Sequence, residues 1–365
     1  MSVKYSPVPT NDAGELPQGW CRSQLHPNCT KRNIIALVVI LSLSSVFIIS
    51  ACVGTSWIQN SHFCPEKPKV IPLPHSRKKG LPHYPHTQRR LPDCIIIGVR
   101  KGGTRALINY LNLHPDIVTA PEEIHFFDDQ QNYSKGLSWY RRQMPYTFSD
   151  KVIIEKTPNY FVDDKVPWRI HNFSSSVKLI LIVRDPLYRA VSDYTQIRER
   201  RLGQGLEMEE FEELAFNGEE EVSVDNVRTQ YPAINRSLYS YHLTKWLRYF
   251  SLSQIHIVDG DNMVRDPVQE IKKVENFLSL EHKIQKDWIV FDRTKGFHCV
   301  KPDNKRYRCL NKTKGRKHPR IDPDVRDILN DFFEPWNQQF FNLTGRTFRW
   351  PKEKWEKKRR RRKNS

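Results

Sequence analysis

No internal repeat runs through this chain, so nothing in it points to a solenoid, a propeller or a repeat array. Cysteine is sparse, seven in 365 residues, and no second pair accompanies Cys299 and Cys309. A zinc site built from two cysteine pairs therefore lacks half of its ligands. Acid is in deficit too, with 41 Asp and Glu against 59 Lys and Arg, for a formal net charge of +18. Such a surplus calls for an anionic partner: nucleic acid, membrane headgroups or an acidic polysaccharide. One further absence is local. Gly98 and Gly103 have the spacing of a nucleotide-triphosphate P-loop, but Thr104 and Arg105 follow where that motif requires lysine and then a hydroxyl, and the lysine sits earlier, at Lys101. The loop can cradle a phosphate but lacks the usual magnesium-holding lysine–hydroxyl pair, which tells against a nucleotide kinase or NTPase.

With 38% hydrophobic residues and nine Trp, the chain can build a core. From Cys94 to Leu107 an apolar strand runs into a Gly-rich turn and then a helix. Backbone N–H groups and a helix N-terminus then converge on one point, a place to hold a phosphate. Strand-like runs at Cys94–Gly98, Val152–Glu155, Val177–Val183 and Gln254–Val258 alternate with helical patterns at Arg105–Leu113, Arg189–Arg198, Ser237–Phe250, Pro267–Leu278 and Asp324–Phe333. That alternation predicts an α/β fold around a mainly parallel sheet flanked by helices.

Ahead of this region, Ile34 to Val53 is an apolar run without a charge, and about twenty such residues suffice to span a bilayer as a helix. Lys31 and Arg32 precede it and no Lys or Arg follows until Lys67, so the positive-inside rule places the N-terminus in the cytosol and the rest in a lumen. A cleaved signal peptide fits less well, because the run is long and starts late. The expected plan is a cytosolic tail at 1–33, a signal-anchor helix at 34–53, a Pro- and His-rich luminal stem at 54–90, a globular domain at 91–351 and a basic C-terminal tail at 352–365. In a lumen the sequons at Asn132, Asn172, Asn235, Asn311 and Asn342 become candidate N-glycosylation sites. Cys299 and Cys309 then leave two readings, a loop-closing disulfide or two free thiols. A luminal basic tail is either a solvated end or a polyanion contact, and nucleic acid is not an expected partner.

A second anion-binding signal follows the strand ending at Val183. Arg184 stands at a strand's carboxyl end, where open α/β sheets bind ligands, and Ser192 lies about two helical turns on. An Arg with a hydroxyl can chelate a phosphate monoester. Between the two basic sites lies Glu122-Glu123-Ile124-His125-Phe126-Phe127-Asp128. Carboxylate and imidazole at i and i+2 share one side of an extended segment, the Phe pair can exclude water, and the set suits a general base acting on a hydroxyl. Solvated loop acids are the plainer alternative.

Taken in order, Lys-Gly-Gly-Thr-Arg-Ala-Leu, Glu-x-His-Phe-Phe-Asp, Glu-Lys-Thr-Pro, Val-Arg-Asp-Pro-x-x-Arg-Ala-x-Ser-Asp-Tyr-Thr-Gln and Lys-Thr-Lys-Gly-Arg-x-His-Pro resemble the heparan sulfate glucosamine 3-O-sulfotransferases, over about Leu91 to Trp350. The resemblance implies a P-loop-like sulfotransferase fold and sulfuryl transfer from 3′-phosphoadenosine 5′-phosphosulfate (PAPS) to the 3-hydroxyl of glucosamine in heparan sulfate, without a metal. It implies a single-pass type II Golgi membrane protein with a luminal catalytic domain. By the same resemblance, Lys101, Gly102, Gly103, Thr104 and Arg105 would wrap the 5′-phosphosulfate, with Lys101 neutralising the leaving phosphate, and Arg184 and Ser192 would bind the 3′-phosphate. Glu123 would be the base, with His125 and Asp128 orienting base and acceptor and Lys156 assisting at the transferring group. Ile124, Phe126, Phe127, Asp129, Thr157, Pro158 and Asn159 fall in the same acceptor segments, Arg100 and Gln196 would face the sugar chain, and Tyr231 and Pro232 match weaker acceptor positions. Lys314, Gly315, Arg316, Lys317 and His318 resemble a loop closing over donor and acceptor, anchored by a Cys299–Cys309 disulfide. Two departures, Asp129 and the acidic segment between Leu202 and Arg228, bear on acceptor preference. Sulfation at another glycan position and non-catalytic polyanion binding are the alternatives.

Overall fold

The computed structural model describes residues 86–218, 222–301, 307–310 and 316–350. The expected cytosolic tail, membrane anchor, most of the stem and the basic tail lie outside the described residues, as do Lys314, Gly315 and Asn311. Among the described residues no helix is long and apolar enough to cross a membrane.

The strands are, in chain order, β1 (Gln88–Arg89), β2 (Cys94–Gly98), β3 (Ile117–Thr119), β4 (Tyr146–Thr147), β5 (Val152–Lys156), β6 (Lys178–Val183), β7 (Ile255–Asp259), β8 (Ile289–Asp292) and β9 (Phe297–Val300). β1 pairs with β4, and β8 with β9, as small antiparallel ribbons. The other strands form a five-stranded sheet in the order β3-β5-β2-β6-β7, parallel at every pairing. Its central strands are almost wholly apolar because both faces are covered. On one face Ile95, Ile97, Leu179, Leu181 and Ile257 pack with Phe127, Trp246 and Phe340. On the other, Cys94, Ile96, Ile180, Ile182 and Val258 pack with Leu107, Leu111, Ile271 and Leu278. The period-2 alternation of strand side chains sends neighbouring isoleucines to opposite layers.

The five expected helices are present, four of them with shifted ends, while the helices Gly136–Gln143 and Val166–Phe173 have no counterpart among the expected ones. The helix Pro186–Leu202 starts before the expected Arg189 because Asp185 caps it, accepting from Tyr188 N at 2.6 Å, and Pro186 supplies a first residue that needs no N–H partner. The last helix, Pro323–Thr344, runs past the expected Phe333 and through Pro335. Its apolar stripe resumes at Phe340, and Gly345 ends it with φ 61°. Strand β3 has no counterpart among the expected strands. Three residues are too few for an alternation to show.

Parallel pairing decides where the site lies. β5, β2 and β6 are neighbours, with Ile96 opposite Lys156 and Gly98 opposite Leu181, so their carboxyl ends open on one edge. The loop after β2 is bonded to β6 through Val99 N to Ile182 O at 3.0 Å. The approach is too close for side chains: a Cβ at Gly102 would sit 2.4 Å from Ile182 O, and one at Gly260 would sit 2.6 Å from Gly102 O and 2.8 Å from Val183 O. Gly260→Ala is therefore expected to push the loop off the sheet edge and to lower stability by about 1–3 kcal/mol, the cost of overpacking. A urea-unfolding midpoint unchanged from the parent would contradict this.

Candidate active site

The phosphate-loop side is built from backbone and cations. Helix Thr104–Leu111 begins after Gly103, which adopts φ 118°, and its first turn has neither a side-chain cap nor an acidic residue. Its first N–H groups thus face the cavity without a side-chain acceptor, which favours an anion there. Lys101 Nζ donates to Gln196 Oε1 at 3.0 Å. At the end of β6, Arg184 donates from Nε to Asp261 Oδ1 at 2.9 Å and lies 4.2 Å over the Tyr188 ring. The second oxygen of Asp261 accepts from Asp185 N at 2.7 Å. The His318 ring lies 4.5 Å from that of Tyr188. Burial, and then the Arg184 and Lys101 cations, hold its imidazole below the usual range.

Behind this surface lies a buried charge cluster. The Asp193 carboxylate accepts from Arg100 Nε at 2.7 Å, Arg189 Nη1 at 3.1 Å and Arg236 Nη1 at 3.2 Å. Burial alone would raise the Asp193 pKa; Arg189, Arg100 and Arg236 outweigh it and hold the carboxyl below its ordinary value. Arg189 also donates to the Arg100 carbonyl at 3.2 Å, so the helix after β6 grips the loop after β2.

The acid side is a loop held from several directions. Glu123 accepts a short hydrogen bond from Lys156 at the end of β5. Lys156 is nearly buried, and that burial draws its pKa down while the Glu123 carboxylate counters. His125 Nδ1 lies 2.9 Å from Asp128 Oδ2 and its Nε2 lies 3.9 Å from Glu123 Oε2. Asn159 Nδ2 donates to the same Asp128 oxygen at 2.9 Å. The hydrogen bond to Asp128 raises the His125 pKa above that of free imidazole. Thr157 Oγ1 accepts from Ile124 N at 3.2 Å and His125 N at 3.4 Å while donating to the buried Glu155. Burial pushes the Glu155 pKa to about 7. Tyr160 OH accepts from Phe126 N at 2.9 Å, and Arg169 Nη1 donates to Phe127 O at 2.8 Å.

Both sides line one cavity of about 550 Å³. It brings together Arg100, Lys101, Gly102, Gly103, Thr104, Arg105, Glu123, His125, Pro158, Asn159, Arg184, Ser192, Gln196, Arg316 and His318. Several other residues singled out from the sequence are placed differently. Phe126 and Phe127 are 1% and 0% exposed and stack into an aromatic core with Tyr140 and Phe173. Ile124 is buried as well. These three support the loop from beneath, and their burial leaves no surface for an acceptor. Asp129 caps the turn Gln130–Tyr133, accepting from Asn132 N at 2.9 Å. Tyr231 is buried among Tyr194, Phe211 and Ile234, and neither it nor Pro232 lines the cavity. Lys156, Thr157 and Asp128 sit one layer behind the lining. Lys317 is exposed outside the cavity, while Arg316 is turned toward Glu199. Arg100, expected to face a sugar chain, commits its Nε to Asp193. Cys299 and Cys309 are bridged with Cα atoms 4.4 Å apart.

The chain's similarities agree with this geometry. A family model described as a sulfotransferase domain matches residues 91–341. Heparan sulfate glucosamine 3-O-sulfotransferase 5 of Mus musculus is 46% identical over 269 residues, covering 74% of this chain and 77% of its own. Heparan sulfate glucosamine 3-O-sulfotransferase 3B1 of Homo sapiens is 43% identical over 264 residues, covering 72% of this chain and 65% of its own. This chain belongs to the heparan sulfate glucosamine 3-O-sulfotransferase family. A solved sulfotransferase from Alicyclobacillus acidocaldarius superposes with a TM-score of 0.53 at 22% identity, covering 71% of this chain and 98% of that one, which shows a shared fold. The chain is accordingly a sulfotransferase, and the expectation of that fold with a central parallel sheet holds.

The family motifs do not mark every residue that builds the site. Asp261, which fixes Arg184, follows β7 in a stretch with no motif, and only its place after a strand hints at a role. Arg236 carries no sequence signal. Lys295 and Gly296, from the turn between β8 and β9, and Phe297 and His298, which begin β9, also reach the cavity. The best-defined electrostatic feature of the family site is the His125–Asp128 pair. Because Asp128 raises the folded-state pKa of His125, the stabilisation from this pair is present in full below the imidazole's ordinary pKa and fades as pH rises through the raised value. Asp128→Asn is expected to return the His125 titration toward 6.5, its ordinary value. Histidine ring NMR shifts followed against pH would check this, and an unmoved midpoint would refute it.

Proposed function

We propose that the protein transfers a sulfuryl group from PAPS to the 3-hydroxyl of glucosamine in heparan sulfate. One observation carries this reading: the Glu123 carboxylate and an uncapped helix N-terminus flanked by Lys101 and Arg184 line the same cavity. The arrangement fits a donor carrying two phosphates. The glycines at 102 and 260 leave the backbone bare where side chains would clash, and the loop after β2 and the end of β6 each present a cation. In this reading Lys101, Gly102, Gly103, Thr104 and Arg105 hold the 5′-phosphosulfate, and Arg184 and Ser192 hold the 3′-phosphate. Bound there, the donor supplies a sulfuryl group activated by its link to phosphate.

The chain's own residues do the rest. Lys156 holds Glu123 in place through their hydrogen bond, so the carboxylate can take the proton of the attacking hydroxyl. His125, oriented by its bond to Asp128, presents Nε2 toward the second Glu123 oxygen and helps to fix its direction. Lys101, oriented by Gln196, and the N–H groups of the following helix face the negative charge that builds on the departing phosphate. Sulfuryl transfer, like phosphoryl transfer, is chiefly positioning and charge stabilisation on an in-line path, and prearranged cations and N–H donors supply both. Gln196 faces the sugar chain in this reading, and Arg316 and His318, which line the same cavity, belong to the loop that closes over donor and acceptor.

The same reading makes the protein a type II Golgi membrane protein. Its support is the apolar run 34–53, the Lys31–Arg32 pair before it and the family itself. Asn172 and Asn342 are exposed on helices and are the described sequons best placed to carry glycans in a lumen. Glu123→Gln preserves shape but removes the base. Its kcat is expected to fall by about 10²- to 10⁴-fold, the usual worth of general base catalysis. PAP and heparan sulfate affinities, read by calorimetry, should stay close to the parent. Disaccharide mapping of a labelled-sulfate product should place the label on the glucosamine 3-hydroxyl. Turnover surviving in Glu123→Gln would remove Glu123 from its role, and label at another position would overturn the substrate assignment.

A further inference from the structure

We infer that Asn132 is a positioning residue for the catalytic loop and not a glycan acceptor, although it heads an Asn-Tyr-Ser sequon. The inference rests on the reading of Glu123 and His125 as catalytic. Asn132 Nδ2 donates to both the Ile124 carbonyl and the His125 carbonyl, each at 3.2 Å. Its Oδ1 accepts from Lys135 Nζ at 2.7 Å, and its backbone N–H is taken by Asp129 at 2.9 Å. The side-chain amide is thus saturated, with its two hydrogens spent on the loop that carries the base.

That loop needs such a clamp. His125 adopts φ 51°, a left-handed conformation that strains the backbone of any residue with a Cβ. Thr157 Oγ1 holds the N–H of His125 and Asn132 holds its carbonyl, so both peptide groups flanking the strained residue are pinned from opposite sides. The conformation sends the imidazole to Asp128 and leaves its Nε2 facing Glu123. Without the Asn132 donors, two carbonyls beside a strained residue lose their partner and the loop has less to hold it in that shape.

Glycosylation is chemically at odds with this role. An N-linked sugar replaces one of the two hydrogens on Nδ2, so a glycosylated Asn132 cannot serve both carbonyls. The sugar is added at the atom that points into the loop. Occupancy of this sequon and the loop geometry described above therefore exclude one another.

The test uses the full chain made in glycosylating animal cells. Mass spectrometry of the peptide holding Asn132 is expected to show it unmodified. Ser134→Ala abolishes the sequon but touches only an exposed hydroxyl bonded to Gln131 O, and should leave both glycan mass and activity unchanged. Asn132→Asp is nearly isosteric but presents an oxygen to two carbonyls. Its kcat should drop by about 10- to 100-fold, as expected for a misplaced reacting group, with KM for PAPS and for heparan sulfate held within roughly twofold. A glycan on Asn132 in active protein would overturn the inference, as would Asn132→Asp with parental kcat. If Asn132→Asp does not fold, the peptide mass still decides. Glu123→Gln run in parallel separates the two claims: activity surviving there overturns the catalytic reading, whereas activity lost there but kept in Asn132→Asp overturns only the role given to Asn132.

Discussion

The site depends on the parallel pairing of β5, β2 and β6. In an all-parallel sheet every strand ends on the same edge, so three adjacent carboxyl ends deliver three different chemistries to one place. β5 brings Lys156 and the Thr157–Asn159 turn, β2 brings the phosphate loop, and β6 brings Arg184. The close approach of Gly102 and Gly260 to backbone carbonyls of β6 then leaves no slack between the loops.

Charge organisation follows from that frame. Among the described residues three of the cavity's cations are held in place. Arg184 is held by Asp261, Lys101 by Gln196, and Arg100 by an Asp193 shared with Arg189 and Arg236. Fixed cations give up less entropy on meeting an anion than mobile ones and keep their orientation as charge moves. The acid side follows the same logic. Glu123 lies between Lys156 and His125, and the loop carrying it is tied through Thr157, Tyr160, Arg169 and Asn132. The segment that carries Glu123 includes the strained His125, and the surrounding bonds hold that strain.

Much of this frame is legible in the amino-acid order alone. The apolar runs name the central strands, and the residues that follow them name the phosphate loop and Arg184. Glu123, His125 and Lys156 come from a family resemblance resting on short motifs. Motifs do not separate a residue that touches a ligand from one that supports it. Phe126 and Phe127 lie in the same motif as Glu123 yet sit in the core. Asp129 caps a turn where its motif suggests acceptor contact, and Asn132, which heads a sequon, donates to the Ile124 and His125 carbonyls. Asp261 and Arg236 enter only through space, each lying more than forty residues from the partner it fixes.

The sequence by itself determined the central strands of the sheet, the helices that alternate with them, and the Gly-rich loop with its missing lysine–hydroxyl ending. These are local or motif properties, carried by side chains near one another along the chain. Only the tertiary structure decided which residues face the cavity and which lie behind it, how Asp193 gathers three arginines, and where the Asn132 amide spends its hydrogens. Such assignments depend on strand order and on packing between segments far apart in sequence, and neither spacing nor composition encodes them in a form that can be read one residue at a time.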